Sequence, residues 1–173
     1  NARFDETKLS ALNAEYIREL ASDVFAEKAS SVLEAKGVNL AAIEQSYVRK
    51  VFELCQGKVK SMDTLFDYVH YFFQDSYDFD AKGMQRIKKG VDPKVLLGEL
   101  MPIFEGEAEY SSEVLEASIQ AIAEANERKI FAYFPVIRMA TSGHTGGPDL
   151  LPMLSVMGRE RVLPRLQSFL EKL

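Results

Sequence analysis

Apolar positions recur along this chain at three- and four-residue spacing, the period of helices buried on one side. The first row is Leu9, Leu12, Tyr16, Ile17 and Leu20. It predicts a short helix capped by Asp5 through Leu12 and a second, recapped by Asn13, through Leu20. Ser22 is placed to cap a helix over Asp23–Lys36, with Val24, Phe25, Ala29, Val32 and Leu33 inward and Gly37 as its stop. Asn39 opens a further helix to about Gln56, whose buried row is Ile43, Tyr47, Val48, Val51, Phe52 and Cys55. After the basic link Gly57–Lys60, Ser61 caps a helix over Met62–Phe73 with a broad face of Met62, Leu65, Phe66, Val69, Phe72 and Phe73.

Periodicity then lapses. Gln74–Asp80 is polar and aromatic without a repeat, and marks a boundary between two lobes, 1–78 and 79–173. Beyond it, Ala81–Lys89 is a short helix stopped by Gly90, and Asp92-Pro93 starts another that leads to Phe104, with Pro102 bending or ending its last turn. Gly106–Tyr110 is a loop. Ser112 caps a helix over Glu113 to about Asn126, with Leu115, Ile119 and Ile122 inward. Phe131–Thr141 is helical, with a kink or fresh start at Pro135. Asp149–Gly158 and Arg159–Leu173 are two more helices; Pro152 is tolerated in a first turn, whereas Pro164 should distort the last helix. No alternating strand pattern or internal repeat is present, so the fold class is all-α, a two-lobed helical bundle.

Composition narrows the chemistry. The single cysteine, Cys55, excludes an internal disulfide framework and a zinc site made of several cysteines, and it reads as a small core residue. His70 and His144 are far apart in sequence, and His70 reads as a packed or solvated ring. No apolar run approaches membrane-spanning length. Asn1-Ala2 resembles an expression remnant and is set aside. The net charge of −5 argues against a blanket nucleic-acid binder, but Arg128–Leu173 carries seven basic residues against three acidic ones. A basic end on an acidic body fits contact with a polyanion along one face.

The stretch Phe134–Leu151 concentrates what chemistry there is. Arg138 lies on an apolar segment that ends at Gly143, followed by Gly146, Gly147 and Pro148. An arginine beside a bare-backbone turn suits recognition better than catalysis, because no nucleophile, base or metal ligand accompanies it. On the residues alone, Arg138 fits base recognition and a cation at a helix C-terminus equally well. Arg159, Arg161 and Arg165 fit a solvated face or phosphate contacts, Arg161 and Arg165 being spaced to share a face. Lys58 and Lys60 read as solvated linker lysines, with Lys60 a further candidate phosphate contact.

Three separated stretches resemble bacterial-type glutamyl-tRNA synthetases of class I. Ile137-Arg138-Met139-Ala140-Thr141-Ser142-Gly143, then Gly147-Pro148 and Leu150-Leu151, and Gly158–Leu163 with Arg165-Leu166 resemble that family's LRxALTG, proline turn and LGKERxLxRL. Lys8-Leu9 with Leu12–Arg18 resembles KLxWLNxEYIR, and Lys58–Met62 with Tyr71–Phe73 resembles RVKTL and YFF. The similarity runs the length of the chain in the right order.

The resemblance implies the anticodon-binding part of a cytoplasmic, monomeric glutamate–tRNA ligase, an all-helical cage of two subdomains. Its partner would be glutamate tRNA, with glutamine tRNA the second candidate. The HIGH-type and KMSKS-type motifs of the catalytic half do not occur in this sequence. ATP and Mg2+ would therefore serve that half, and no cofactor or metal is expected in this part. Carried over by position, Arg138 matches the arginine that contacts the first anticodon base. Gly147, Pro148 and Leu150 match the turn against which anticodon bases pack. Lys58 matches an arginine associated with the third base, and Gln120 lies where some members place another basic residue. This chain departs from the family at Lys58, where a bidentate fork becomes a point charge, at Gly147, where a hydroxyl residue is common, at His144 and Asp149, and at Tyr133 and Phe134, which replace a more polar approach to Pro135. The rival reading, from the helical pattern alone, is a protein–protein interaction module with no RNA specificity.

Overall fold

The helical period is realised throughout. The computed structural model describes residues 6–107 and 109–173, and among them forms ten α-helices joined by turns and short 3-10 segments, with no strand. Asp5 and Asn1-Ala2 lie outside the described residues. The chain divides into two compact units, one ending at Asp75 and the next beginning at Ser76.

The first unit holds α1 (Glu6–Glu19), α2 (Ser22–Ala35), α3 (Gln45–Gln56) and the short α4 (Leu65–Val69). Its core sets Phe25, Ala29 and Leu33 of α2 against Val51, Phe52 and Cys55 of α3, with the Phe25 and Phe52 rings edge-on at 6.1 Å. Several expectations change here. α1 runs unbroken through Asn13, and its apolar row turns outward: Leu9, Leu12 and Tyr16 are exposed, while Ile17 is buried. A helix buries one narrow stripe, and the Gln56 amide fixes which, donating to the Ile17 and Leu20 carbonyls at 3.0 and 2.8 Å. Val24 is likewise exposed, and Ser22 makes no side-chain cap.

The helix expected from Asn39 instead begins at Gln45, after a 3-10 turn at Leu40–Ala42 and an extended Ile43. Ser61 does cap, accepting from the Thr64 amide, but the single helix expected beyond it is divided into a 3-10 turn, α4 and a second 3-10 turn over His70–Phe72. That tightening buries Tyr71, which a regular helical face does not predict, beside Phe72, and lets the Phe72 carbonyl accept from the Tyr47 hydroxyl at 2.9 Å.

The second unit holds α5 (Ala81–Ile87), α6 (Pro93–Gly106), α7 (Ser112–Ala125), α8 (Phe134–Ser142), α9 (Leu150–Met157) and α10 (Arg159–Lys172). Asp92 caps α6 through the Lys94 amide at 2.9 Å, with Pro93 in the first turn. α6 runs past Phe104 to Gly106, Pro102 lying within it on an exposed side. α10 likewise runs through Pro164 to Lys172 without a break. The cap of α7 is Ser111, one residue earlier than expected, and its buried row is Leu115, Ile119 and Ala123 rather than Ile122. α8 is central, packed against α5, α6 and α10, and buried at Val136, Ile137, Met139, Ala140, Thr141 and Ser142. Arg138, in the middle of this helix, is the charged residue along it.

Burial makes Cys55 inert. Its thiol is wholly enclosed, which pushes its pKa from 9.0 to about 12, and burial lifts Tyr77 and Tyr133 from 10.0 to about 12. Cys55 should therefore resist iodoacetamide in the native chain and alkylate readily once urea unfolds it. Each native group keeps its proton in a range where the unfolded one has lost it, so unfolding free energy should decline as pH rises from about 9 towards 12. A native thiol that alkylates at the unfolded rate, or stability unchanged across that range, would contradict this burial.

Candidate nucleic-acid interface

The functional stretch is shaped by how α8 ends. Gly143 takes the left-handed conformation, φ 76°, and its amide bonds the Met139 carbonyl at 2.9 Å. A Cβ there would stand 2.1 Å from the Asp78 carbonyl oxygen, so Gly143 is required by close approach as well as by φ. The segment Tyr77–Asp80 closes over this end: the Tyr77 hydroxyl donates to the Ala140 carbonyl at 2.5 Å, and the Asp80 amide donates to the Gly143 carbonyl at 2.8 Å. Arg165, 8% exposed, donates from Nη1 to the Thr141 carbonyl at 2.7 Å and lies over the Tyr77 ring at 4.9 Å. Its positive charge sits where the negative end of the helix macrodipole gathers.

Past this joint the chain turns back towards α8. Arg138 donates from Nη2 to the Pro148 carbonyl at 2.7 Å, fastening the turn to the helix, and Ser142 Oγ accepts from the His144 amide at 3.2 Å. Gly147 has φ 147°, a conformation that side chains rarely adopt, which accounts for a glycine where the resembled family favours a hydroxyl residue. Pro148 and Leu150 are buried under the turn.

An open cavity of about 470 Å³ lies beside it, lined by Arg138, Leu150 and Asp149, by Phe134 and Pro135 at the start of α8, and by Arg86 of α5. That volume lies in the range of small-molecule clefts. Two guanidiniums, an aromatic ring and proline surface suit a flat, polar-edged ring with negative charge nearby. Arg86 and Phe134 were absent from the sequence-derived site. The signal for Arg86 is Gly83, three residues earlier on the same face of α5, where a Cβ would stand 2.3 Å from Met139 Cε and 2.6 Å from Thr145 Cγ2. A glycine inside so short a helix marks an intimate contact, and that contact brings Arg86 to the cavity.

A family model described as the anticodon binding domain matches residues 14–170. The chain belongs to that family. A glutamate–tRNA ligase of Thermobifida fusca is 32% identical across 100% of this chain, which spans 37% of that protein. Glutamate–tRNA ligase 2 of Caldicellulosiruptor saccharolyticus is 29% identical across 99% of this chain and 35% of its own length. The chain thus spans about a third of the length of these relatives. In fold it is similar to a solved glutamate tRNA ligase from Elizabethkingia meningosepticum, TM-score 0.81, at 21% identity over 100% of this chain and 34% of that one.

The remaining candidates of this anticodon-binding domain are dispersed. Lys58 and Lys60 belong to the first unit, both exposed on a link whose Val59 is 2% exposed, so the buried valine turns the two lysines outward. Gln120, on α7, donates to Glu124 Oε1 at 2.6 Å and is not among the residues lining the cavity. Arg161 is partly exposed on α10, and Arg159 donates to the Glu105 carbonyl at 2.6 Å. Arg165 is turned inward onto Thr141 and Tyr77 instead of towards solvent, and acts within the fold rather than as a surface phosphate contact.

The joint at Gly143 gives a stability test. Gly143→Ala should cost about 2–4 kcal/mol by urea denaturation, combining the left-handed penalty with overpacking. Gly143→Asn tolerates the conformation but not the Asp78 carbonyl, so it should be no better than Ala. Asn close to wild type would mean that φ alone matters there.

Proposed function

We propose that this chain reads the anticodon loop of glutamate tRNA, as the recognition part of a glutamate–tRNA ligase. The observation that carries this reading is the cavity that Arg138 lines while its Nη2 fastens the Gly147–Pro148 turn. Unpaired loop bases are recognised when splayed out, stacked on flat groups and hydrogen-bonded on their edges, and RNA phosphates bring negative charge to the same place. Arg138 is the candidate for the first anticodon base, Gly147 and the buried Pro148 shape the turn that Arg138 fastens, and Leu150 gives the cavity apolar surface. Lys58 is the candidate for the third anticodon base, as a point charge rather than a fork. Gln120 would add a neutral amide contact, with Lys60 and Arg161 on phosphates.

Activation of glutamate by ATP with Mg2+ would fall to a catalytic part of such a ligase. Among the described residues no three or more His, Cys, Asp or Glu side chains stand together as a metal site. Among those residues, too, no helix is long and apolar enough to cross a membrane. With Lys58 in place of an arginine, glutamine tRNA is the competitor to test, because the forked donor is what separates similar base edges.

The experiment is a binding titration of the chain with glutamate tRNA at two salt concentrations, beside an anticodon-substituted tRNA and Arg138→Ala. Affinity should fall with salt, and each change should cost about 1–3 kcal/mol, as expected for a lost specific base contact. Equal binding of both tRNAs and of Arg138→Ala would reduce the interaction to backbone attraction and defeat the reading.

A further inference from the structure

Phe131 is unaccounted for by the core or by the turn. It is 71% exposed, the most open of the large apolar side chains among the described residues. It is also firmly held. Phe131 sits on a 3-10 turn over Ile130–Ala132, closed by the Ala132 amide on the Lys129 carbonyl at 2.9 Å and the Tyr133 amide on the Ile130 carbonyl at 3.1 Å. The turn is clamped on both sides through one carboxylate: Tyr133, fully buried, donates to Glu99 at 2.7 Å, and Arg128 pairs with the same Glu99 at 2.8 Å. An ordered backbone therefore holds a large apolar ring out in water.

The ring beside it points to a use. Phe131 and Phe134 meet edge-to-face, centroids 5.5 Å apart at 81°, and Phe134 lines the cavity that holds Arg86 and Arg138. The open ring thus adjoins the arginine cavity without being part of its lining. We propose that Phe131 is a stacking platform for a second unpaired RNA base, the neighbour along the strand of the one held beside Arg138. This rests on the anticodon-loop reading above and extends it by one nucleotide. Successive bases of an unpaired loop are joined by a short backbone, so a base in the cavity delivers its neighbour to the adjoining surface. An aromatic face accepts any base, while the flanking Lys129 and the two cavity arginines draw in the phosphates between them.

The chain contains no tryptophan, so Phe131→Trp places a sole indole reporter at the site. The experiment titrates the chain with a glutamate-tRNA anticodon stem-loop, using wild type, Phe131→Ala, Phe131→Leu, Phe131→Trp and Arg138→Ala. Phe131→Ala and Phe131→Leu should each weaken binding about 5- to 150-fold, the range for losing one base–aromatic stack. Phe131→Trp should bind at least as well as wild type, with indole emission quenched in step with binding. The exposed position keeps these variants folded, which circular dichroism checks. If Phe131→Leu binds as wild type while Ala does not, the ring only covers Phe134 and the proposal fails. If all three Phe131 variants bind normally and the indole is undisturbed while Arg138→Ala is weakened, the platform is wrong and the anticodon reading survives. No binding by wild type overturns both.

Discussion

A helix that ends inside a protein leaves its last carbonyls without intrahelical partners, and α8 ends at full burial. Three groups from elsewhere in the second unit resolve this: the Tyr77 hydroxyl on Ala140, the Arg165 guanidinium on Thr141 and the Asp80 amide on Gly143. The turn beyond it, the α9 it leads into and the position of Arg138 all depend on this joint. It also explains why the chain keeps an arginine at position 165, where a hydrophobic residue would fill the space but leave a buried carbonyl unpaired.

Arg138 is a second economy of the same kind. One side chain secures the Pro148 carbonyl and lines the cavity, so its position there is already fixed by the protein. Such preorganisation lowers the ordering cost of binding, since a long cationic side chain loses much rotamer freedom when it is first fixed at an interface. Of the two roles the sequence posed for Arg138, the cation answering the helix dipole is filled by another arginine. The helix end is served by Arg165, leaving Arg138 to the turn.

The helical period made most elements readable, and the caps at Ser61, Asp80, Asp92 and Gly143 are local hydrogen-bond chemistry. Asp80 could have been read as a cap with the same rule that found Asp92. What periodicity could not convey is which stripe of a helix with two apolar sides turns inward: α1 buries Ile17 because a distant Gln56 amide holds that end. The 3-10 turns around α4 arose from packing of Tyr71 and Phe72, again a long-range constraint. Arg138 and Leu150, which are close in sequence, both line the cavity, and Pro148 meets Arg138 through its carbonyl. Arg86 was not legible, because it arrives from another helix through a glycine contact. Arg165 was misread because helical spacing places a residue on a face without saying what that face meets.

That glycine contact has a geometric meaning for the cavity. The two arginines stand on different helices, α5 and α8, and the separation of those helices is limited by Gly83 against Met139 and Thr145. The close approach of α5 to α8 beside the cavity is thus permitted by an absent side chain. Gly83 works as a gauge: an added methyl would first have to displace the Met139 and Thr145 methyl ends, so the wall of the cavity is set by how far those two side chains can yield.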